Sequence, residues 1–135
     1  MSRGYLVVRV EGKAFGLPVS RVLEVGDLGD VLQVPRSLPA VRGVTPLRGR
    51  LVPLIHLGAL LGDRAVPEAR GAAMVLVEFG PRLVALEVDD ADAVVREDSM
   101  PVPDGEALPW ATGVARQERG LVPILDLDAL GERIT

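Results

Sequence analysis

The sequence predicts an all-β protein of two similar small barrels or sandwiches. The chain repeats itself once, each copy holds about five short β-patterned runs, and turn residues break those runs every 8 to 12 residues or so. The repeat is plainest at its end. Leu51-Val52-Pro53-Leu54-Ile55-His56-Leu57-Gly58-Ala59-Leu60 falls on Leu121-Val122-Pro123-Ile124-Leu125-Asp126-Leu127-Asp128-Ala129-Leu130, an ungapped offset of 70 residues. The same offset lays Gly43-Val44 on Gly113-Val114 and Leu38-Pro39 on Leu108-Pro109. Nearer the N-terminus an offset of 69 lays Leu6 to Gly12 on Val75 to Pro81, and Leu17 to Val19 on Leu86 to Val88.

The elements follow in order. Residues 5–10 are rich in β-branched side chains and read as a strand, Glu11-Gly12-Lys13 as a hairpin turn, and 14–19 as the return strand. Residues 21–25 read as a third strand. Pro35 and Pro39 punctuate an irregular linker, because proline fixes φ and lacks an amide donor. Strands at 41–46 and 50–55 flank a Leu47-Arg48-Gly49 turn, where Gly49 suits a left-handed backbone. His56 stands at the start of a short helix over 57–61, which Gly62 stops. Residues 62–73 read as the linker between copies. The second copy repeats the plan: strands at 74–79 and 83–88 around Gly80-Pro81, a third at 91–96, and irregular chain marked by Pro101, Pro103 and Pro109. Asp126 N-caps a final helix over 127–133, where its carboxylate accepts orphan amide protons. Ile55, Leu57, Leu60, Leu125, Leu127 and Leu130 are expected to form an apolar interface shared by the two barrels, because about 65 residues make a marginal barrel alone.

Composition narrows the function. The chain has 135 residues, no cysteine, one histidine and four aromatics. Disulfide scaffolds, thiol nucleophiles and cysteine zinc sites are thereby excluded, and His56 cannot build a multi-histidine metal site. Four aromatics and one lysine in a chain of pI near 5.0 argue against nucleic acid. The apolar run after Met1 is too short for a signal core or a membrane span, so a cytoplasmic location is expected. Charge is uneven: residues 1–62 carry eight Lys/Arg against four Asp/Glu, and residues 63–135 carry seven against fifteen. Arg36, Arg42, Arg48 and Arg50 fall in an acid-free stretch, which reads either as solvated turn residues or as a patch for an acidic partner.

No catalytic set stands out. The serines are Ser2, Ser20, Ser37 and Ser99, none in a nucleophile elbow, and there is no glycine-rich phosphate loop. Asp89, Asp90 and Asp92, with Glu97 and Asp98, form the densest carboxylate run. In a strand Asp90 and Asp92 share a face opposite Asp89, but the spacing is not that of a calcium loop, and guarding a strand edge is the simpler role. No metal, cofactor or enzymatic activity is expected.

Gly43-Val44-Thr45-Pro46-Leu47-Arg48-Gly49-Arg50-Leu51-Val52-Pro53-Leu54-Ile55-His56-Leu57 resembles the central signature of CheW-like domains, which runs Gly-Val-Ile-Asn-Leu-Arg-Gly, an apolar strand with proline, then Ile-Asp-Leu. Phe15 to Val19 with Val22-Leu23-Glu24-Val25, Val34-Pro35, Leu86-Glu87-Val88-Asp89 and Ile124-Leu125-Asp126 resemble further family segments in the right order. The resemblance implies one CheW-like domain over 1–135, built of two five-stranded SH3-like barrels. Subdomain 1 would span about 14–73, with the strand at 5–12 free to cross over, and subdomain 2 about 74–135. It also implies a non-catalytic adaptor that couples the signalling tip of chemoreceptors (methyl-accepting proteins) to the regulatory domain of a CheA-type histidine kinase. The positions matching the family's receptor groove are Val22, Glu24, Gly43 and Arg48. Val22 would offer apolar area, Arg48 a bidentate contact to a receptor carboxylate, Gly43 close backbone approach, and Glu24 a partner that orients Arg48. The kinase face is expected on edge strands of the second barrel, without named residues. Thr45, Pro46 and His56 depart from the usual Ile, Asn and Asp. Two other readings stand beside this one: a divergent variant that binds only receptor or only kinase, and a small anion-binding β-domain using Arg36 to Arg50. A monomer with micromolar partner affinity is expected, as for transient signalling contacts.

Overall fold

Among the described residues ten strands make two five-stranded sheets, whose order is the same once the sequence copies are interchanged. The computed structural model describes residues 4–35, 38–96, 99–102, 108–117 and 120–134. Ser2, Arg36, Ser37, Glu97, Asp98 and Pro103, singled out above, lie outside them. The first copy supplies β1 (Tyr5–Val10), β2 (Lys13–Pro18), a 3-10 turn (Val19–Arg21), β3 (Val22–Asp27), β4 (Val41–Leu47), β5 (Arg50–His56) and α1 (Leu57–Gly62). The second supplies β6 (Ala73–Phe79), β7 (Arg82–Val88), β8 (Asp90–Val95), β9 (Ala111–Gln117), β10 (Gly120–Leu125) and α2 (Leu127–Glu132). The eight strands and two helices given ranges above begin and end within two residues of their expected places; β9, β10 and the 3-10 turn had none.

The sheet orders are β8-β1-β2-β10-β9 and β3-β6-β7-β5-β4. Exchanging copies, so that β1 becomes β6, β2 becomes β7 and so on, turns one order into the other. Each barrel therefore takes its first hairpin from the opposite copy. The expected subdomain limits, 14–73 and 74–135, do not match the sheets: β2 joins the barrel of β8–β10 along with β1, and β6–β7 join the barrel of β3–β5.

Burial explains the exchange. Every residue of β1 except Arg9 is buried, so the strand is covered on both faces. Leu6, Val8 and Val10 point into a large cluster that also holds Val75, Val77 and Phe79 of β6, while Tyr5 and Val7 pack with Ala115 and Ile124 inside their own barrel. In the other barrel Met74 packs with Val52, Leu54 and Ala85. The central hairpins thus serve a barrel interior on one face and the common core on the other. Ile55, Leu57, Leu60, Leu125, Leu127 and Leu130 all belong to that common core, as expected.

Local chemistry sets the connections. The β1–β2 and β4–β5 hairpins close on two residues each, Glu11-Gly12 (φ 53° and 80°) and Arg48-Gly49 (φ 49° and 79°). Two consecutive positive φ angles define the type I′ turn that suits the strand twist. Only the glycine was foreseen as left-handed; Arg48 and Glu11 are left-handed too. The stop of α1 differs similarly. Gly62 is its last residue, and Asp63, at φ 51°, is the left-handed cap. Pro53 and Pro123 occur within non-edge strands, where the missing amide would normally break a ladder. Each stands one residue before the parallel pairing of its strand begins, at Leu54 with Ala85 and at Ile124 with Gly16.

Candidate functional site

The β4–β5 turn and strand β3 meet at an ion pair. Arg48 Nη2 lies 2.9 Å from Glu24 Oε1, and the arginine side chain is 83% exposed. The two elements are the outer members of their sheet. The chain after β3 folds back along β4, where Leu32 and Val44 exchange backbone hydrogen bonds of 2.8 and 2.9 Å. Thr45, buried at the position where the family usually has Ile, donates through Oγ1 to the Asp30 carbonyl at 2.7 Å and pins the same return. Pro46 is exposed on β4, an outer strand that tolerates a missing donor.

Of the four residues expected here, Glu24 and Arg48 come together as an ion pair. Val22 is half-buried against the common core. Gly43 is buried, and a Cβ there would run into the Leu32 carbonyl. The close backbone approach that it permits is therefore to this chain's own Leu32. Sequence reasoning missed Leu23 and Val25, which are 52% and 47% exposed beside Glu24 on β3. Their signal was present: Val22-Leu23-Glu24-Val25 is apolar at both strand parities, so one apolar set must face out.

The arginine stretch is not one patch. Arg42 is buried and makes a bidentate pair with the fully buried Glu87, Nε to Oε1 at 2.5 Å and Nη2 to Oε2 at 2.9 Å. Gly71 N also donates to Glu87 at 2.7 Å, and Arg42 Nη2 to the Ala69 carbonyl at 3.1 Å. The pair fastens the linker between copies to β4 and β7. A four-arginine anion site is thereby corrected: Arg42 is satisfied inside the protein because a buried guanidinium needs a carboxylate partner.

The histidine and the acidic run have local work. His56 is 2% exposed, and its Nδ1 accepts from Ala59 N at 3.0 Å, capping α1. Asp126 Oδ1 caps α2 through Ala129 N at the same distance. Burial pushes the His56 imidazole below its usual pKa, against the opposing pull of Glu87 and Glu11. Asp89 accepts from Glu11 N at 2.8 Å, Asp90 from the following amide at 2.9 Å, and Asp92 pairs with Arg9 at 2.7 Å. Among the described residues no group of three or more His, Cys, Asp or Glu is placed to hold a metal ion.

Fold and site define a paired SH3-like β-barrel protein that offers an exposed arginine and an apolar strand edge. Residues 4–134 match the CheW-like domain, and the chain belongs to that family. It is 24% identical over 132 residues to the chemotaxis protein CheW of Klebsiella aerogenes, covering 93% of this chain and 80% of that one. To the chemotaxis protein CheW of Thermotoga maritima it is 25% identical over 134 residues, covering 96% and 88%. Protein PilI of Pseudomonas aeruginosa is 28% identical over 123 residues, covering 82% and 66%. The crystal structure of the scaffolding protein TtCheW from Thermoanaerobacter tengcongensis superposes with a TM-score of 0.81 at 22% identity, covering 96% of this chain and 92% of that one.

Proposed function

We propose that this chain is a non-catalytic cytoplasmic adaptor that couples the helical signalling tip of a chemoreceptor to the regulatory domain of a CheA-type histidine kinase. The observation that carries the reading is Arg48. A type I′ turn favours Asn-Gly, and a bulky residue at positive φ costs about 1–2 kcal/mol. The turn instead holds a long cation, 83% exposed, against Glu24. An exposed ion pair contributes under about 1 kcal/mol, so stability alone does not account for the choice. A guanidinium held in place reads a carboxylate bidentately. Leu23 and Val25, exposed on the strand that carries Glu24, offer apolar area of the kind an amphipathic helix covers. The names of the relatives, chemotaxis and scaffolding proteins, support the same reading. Val22 contributes one edge of this surface, and Gly43 contributes by holding the barrel closed. The kinase contact lies elsewhere, on edge strands of the β8–β10 barrel. The protein alone is a monomer with micromolar affinity for each partner. No helix among the described residues is long and apolar enough to cross a membrane.

Co-sedimentation with a receptor signalling domain, a kinase regulatory domain, and both together tests the proposal. Wild type is expected to bind each partner, and Arg48→Ala to lose receptor binding while keeping kinase binding. Binding of one partner only would narrow the reading to a specialised variant. Binding of neither, by protein shown to be folded, would overturn it.

A further inference from the structure

The duplication supplies an internal control for a second surface. In the second copy α2 lies directly on the β6–β7 hairpin: a Cβ on Gly131 would come within 3.3 Å of the Phe79 carbonyl group. The equivalent of Gly131 in α1 is Leu61, which is too large for that approach. The equivalent of Ala40 is Trp110, and the equivalents of Gly80 and Ile134 are Glu11 and Arg64. Where the second copy brings helix and hairpin together at Gly131, the first has a cleft of about 720 Å³ between α1 and the β1–β2 hairpin.

Its floor is apolar, made by Phe15, Leu61, Trp110 and Leu121. Trp110 rests edge-on against Phe15, ring centres 5.9 Å apart, and stays half-exposed. Leu121 is 51% exposed. Its rim is charged. Glu11 reaches over Gly58 to pair with Arg64, in space that a side chain at Gly58 would fill. Lys13, the chain's only lysine, borders the same cleft, and Arg133 borders a second depression that shares Leu61 and Trp110 with it. Neither makes an ion pair among the described residues. Two cations without an ion-pair partner among the described residues thus lie beside an aromatic pocket in a chain of net charge −4. The cleft is remote from Arg48, because the β4–β5 turn and α1 lie at opposite ends of β5, about 20 Å apart.

We propose that this cleft is a docking site for an acidic segment of a partner protein, which seats one apolar side chain against Trp110 while its carboxylates meet Lys13 and Arg133. A pocketed aromatic surrounded by charge is the arrangement in which a few residues carry most of an interface's energy. The site is separate from the surface at Arg48 and does not depend on how that surface is read.

Trp110 is the only tryptophan, so its emission reports on the cleft directly. The probes are two tryptophan-free 12-residue peptides, one of Leu, Met and Glu, the other with every Glu replaced by Lys. The acidic peptide is expected to shift Trp110 emission to the blue in a saturable way, at least tenfold more tightly than the basic one. Lys13→Glu with Arg133→Glu should weaken it at least tenfold, as should Leu121→Ser, an exposed change that leaves the charges intact. Arg48→Asn should leave it unchanged. Equal binding of both peptides, no shift with the acidic one, or indifference to both variants would overturn the proposal. So would a blue shift that grows with protein concentration alone, which would assign the cleft to a second copy.

Discussion

His56 and Asp126 occupy equivalent positions and do the same job with different chemistry. Both cap a helix through one acceptor, but only the imidazole loses its acceptor when it gains a proton. Burial lowers the folded-state pKa of His56, with Glu87 and Glu11 opposing and Arg42 and Arg64 assisting. A lowered pKa means that the unfolded chain binds the proton more readily. The contribution is therefore complete above the unfolded value near 6.5 and is lost as pH falls through and below it. Thermal melts from pH 8 to 5 should show wild type weakening below about pH 6.5 more steeply than His56→Asn, which keeps a cap and cannot titrate. Parallel curves would contradict the assignment. The Arg42–Glu87 pair makes a larger claim. Removing one partner strands a buried charge, so Arg42→Ala should cost about 3–5 kcal/mol in urea denaturation, whereas Arg42→Met with Glu87→Leu should recover much of it.

At the level of elements, the β4–β5 hairpin separates stability from binding. Arg48→Asn gives the Asn-Gly pair that a type I′ turn favours, so the melting temperature should hold or rise while receptor binding falls. Gly43→Ala should do the reverse of a clean binding mutant. Its new methyl meets the Leu32 carbonyl, and a loss of roughly 1–3 kcal/mol in stability should accompany any loss of binding. Most elements were legible because their signals are local: turn glycines, strand alternation, and an N-cap ahead of a Leu-rich turn. Arg48 was legible as a site residue through its place in a recognisable segment. The left-handed backbone beneath it was not, since arginine gives no hint of positive φ. Arg42 was misread because nothing nearby in sequence reveals Glu87, 45 residues away, as its partner. Leu23 and Val25 were missed because a strand apolar at both parities does not say which set faces out.

For the whole molecule, repetition was visible and the resemblance left the first strand free to cross, but the exchange of whole hairpins was not foreseen. Self-similarity fixes that two copies look alike and leaves open which copy's hairpin completes which barrel. The answer lies in β1 and β6, whose apolar runs Tyr5–Val8 and Ala73–Val77 need cover on both faces. Neither copy can then close a barrel from its own strands, so a fragment of residues 74–135 should be unfolded by circular dichroism, and the intact chain should melt in one transition. Two separable transitions would contradict a single shared core. β6 and β7, whose inward faces belong to the common core, lie between β3 and β5 in one sheet and so hold β3 and the Arg48 turn in a constant relation. The most direct test of that surface is to add an unlabelled receptor signalling domain to the ¹⁵N-labelled protein and follow its amide resonances. The expected result is that perturbed resonances cluster at Val22–Val25 and Leu47–Arg50 and that Arg48→Asn abolishes them; perturbations confined to other strands, with these segments unmoved, would contradict the receptor-facing role of Arg48.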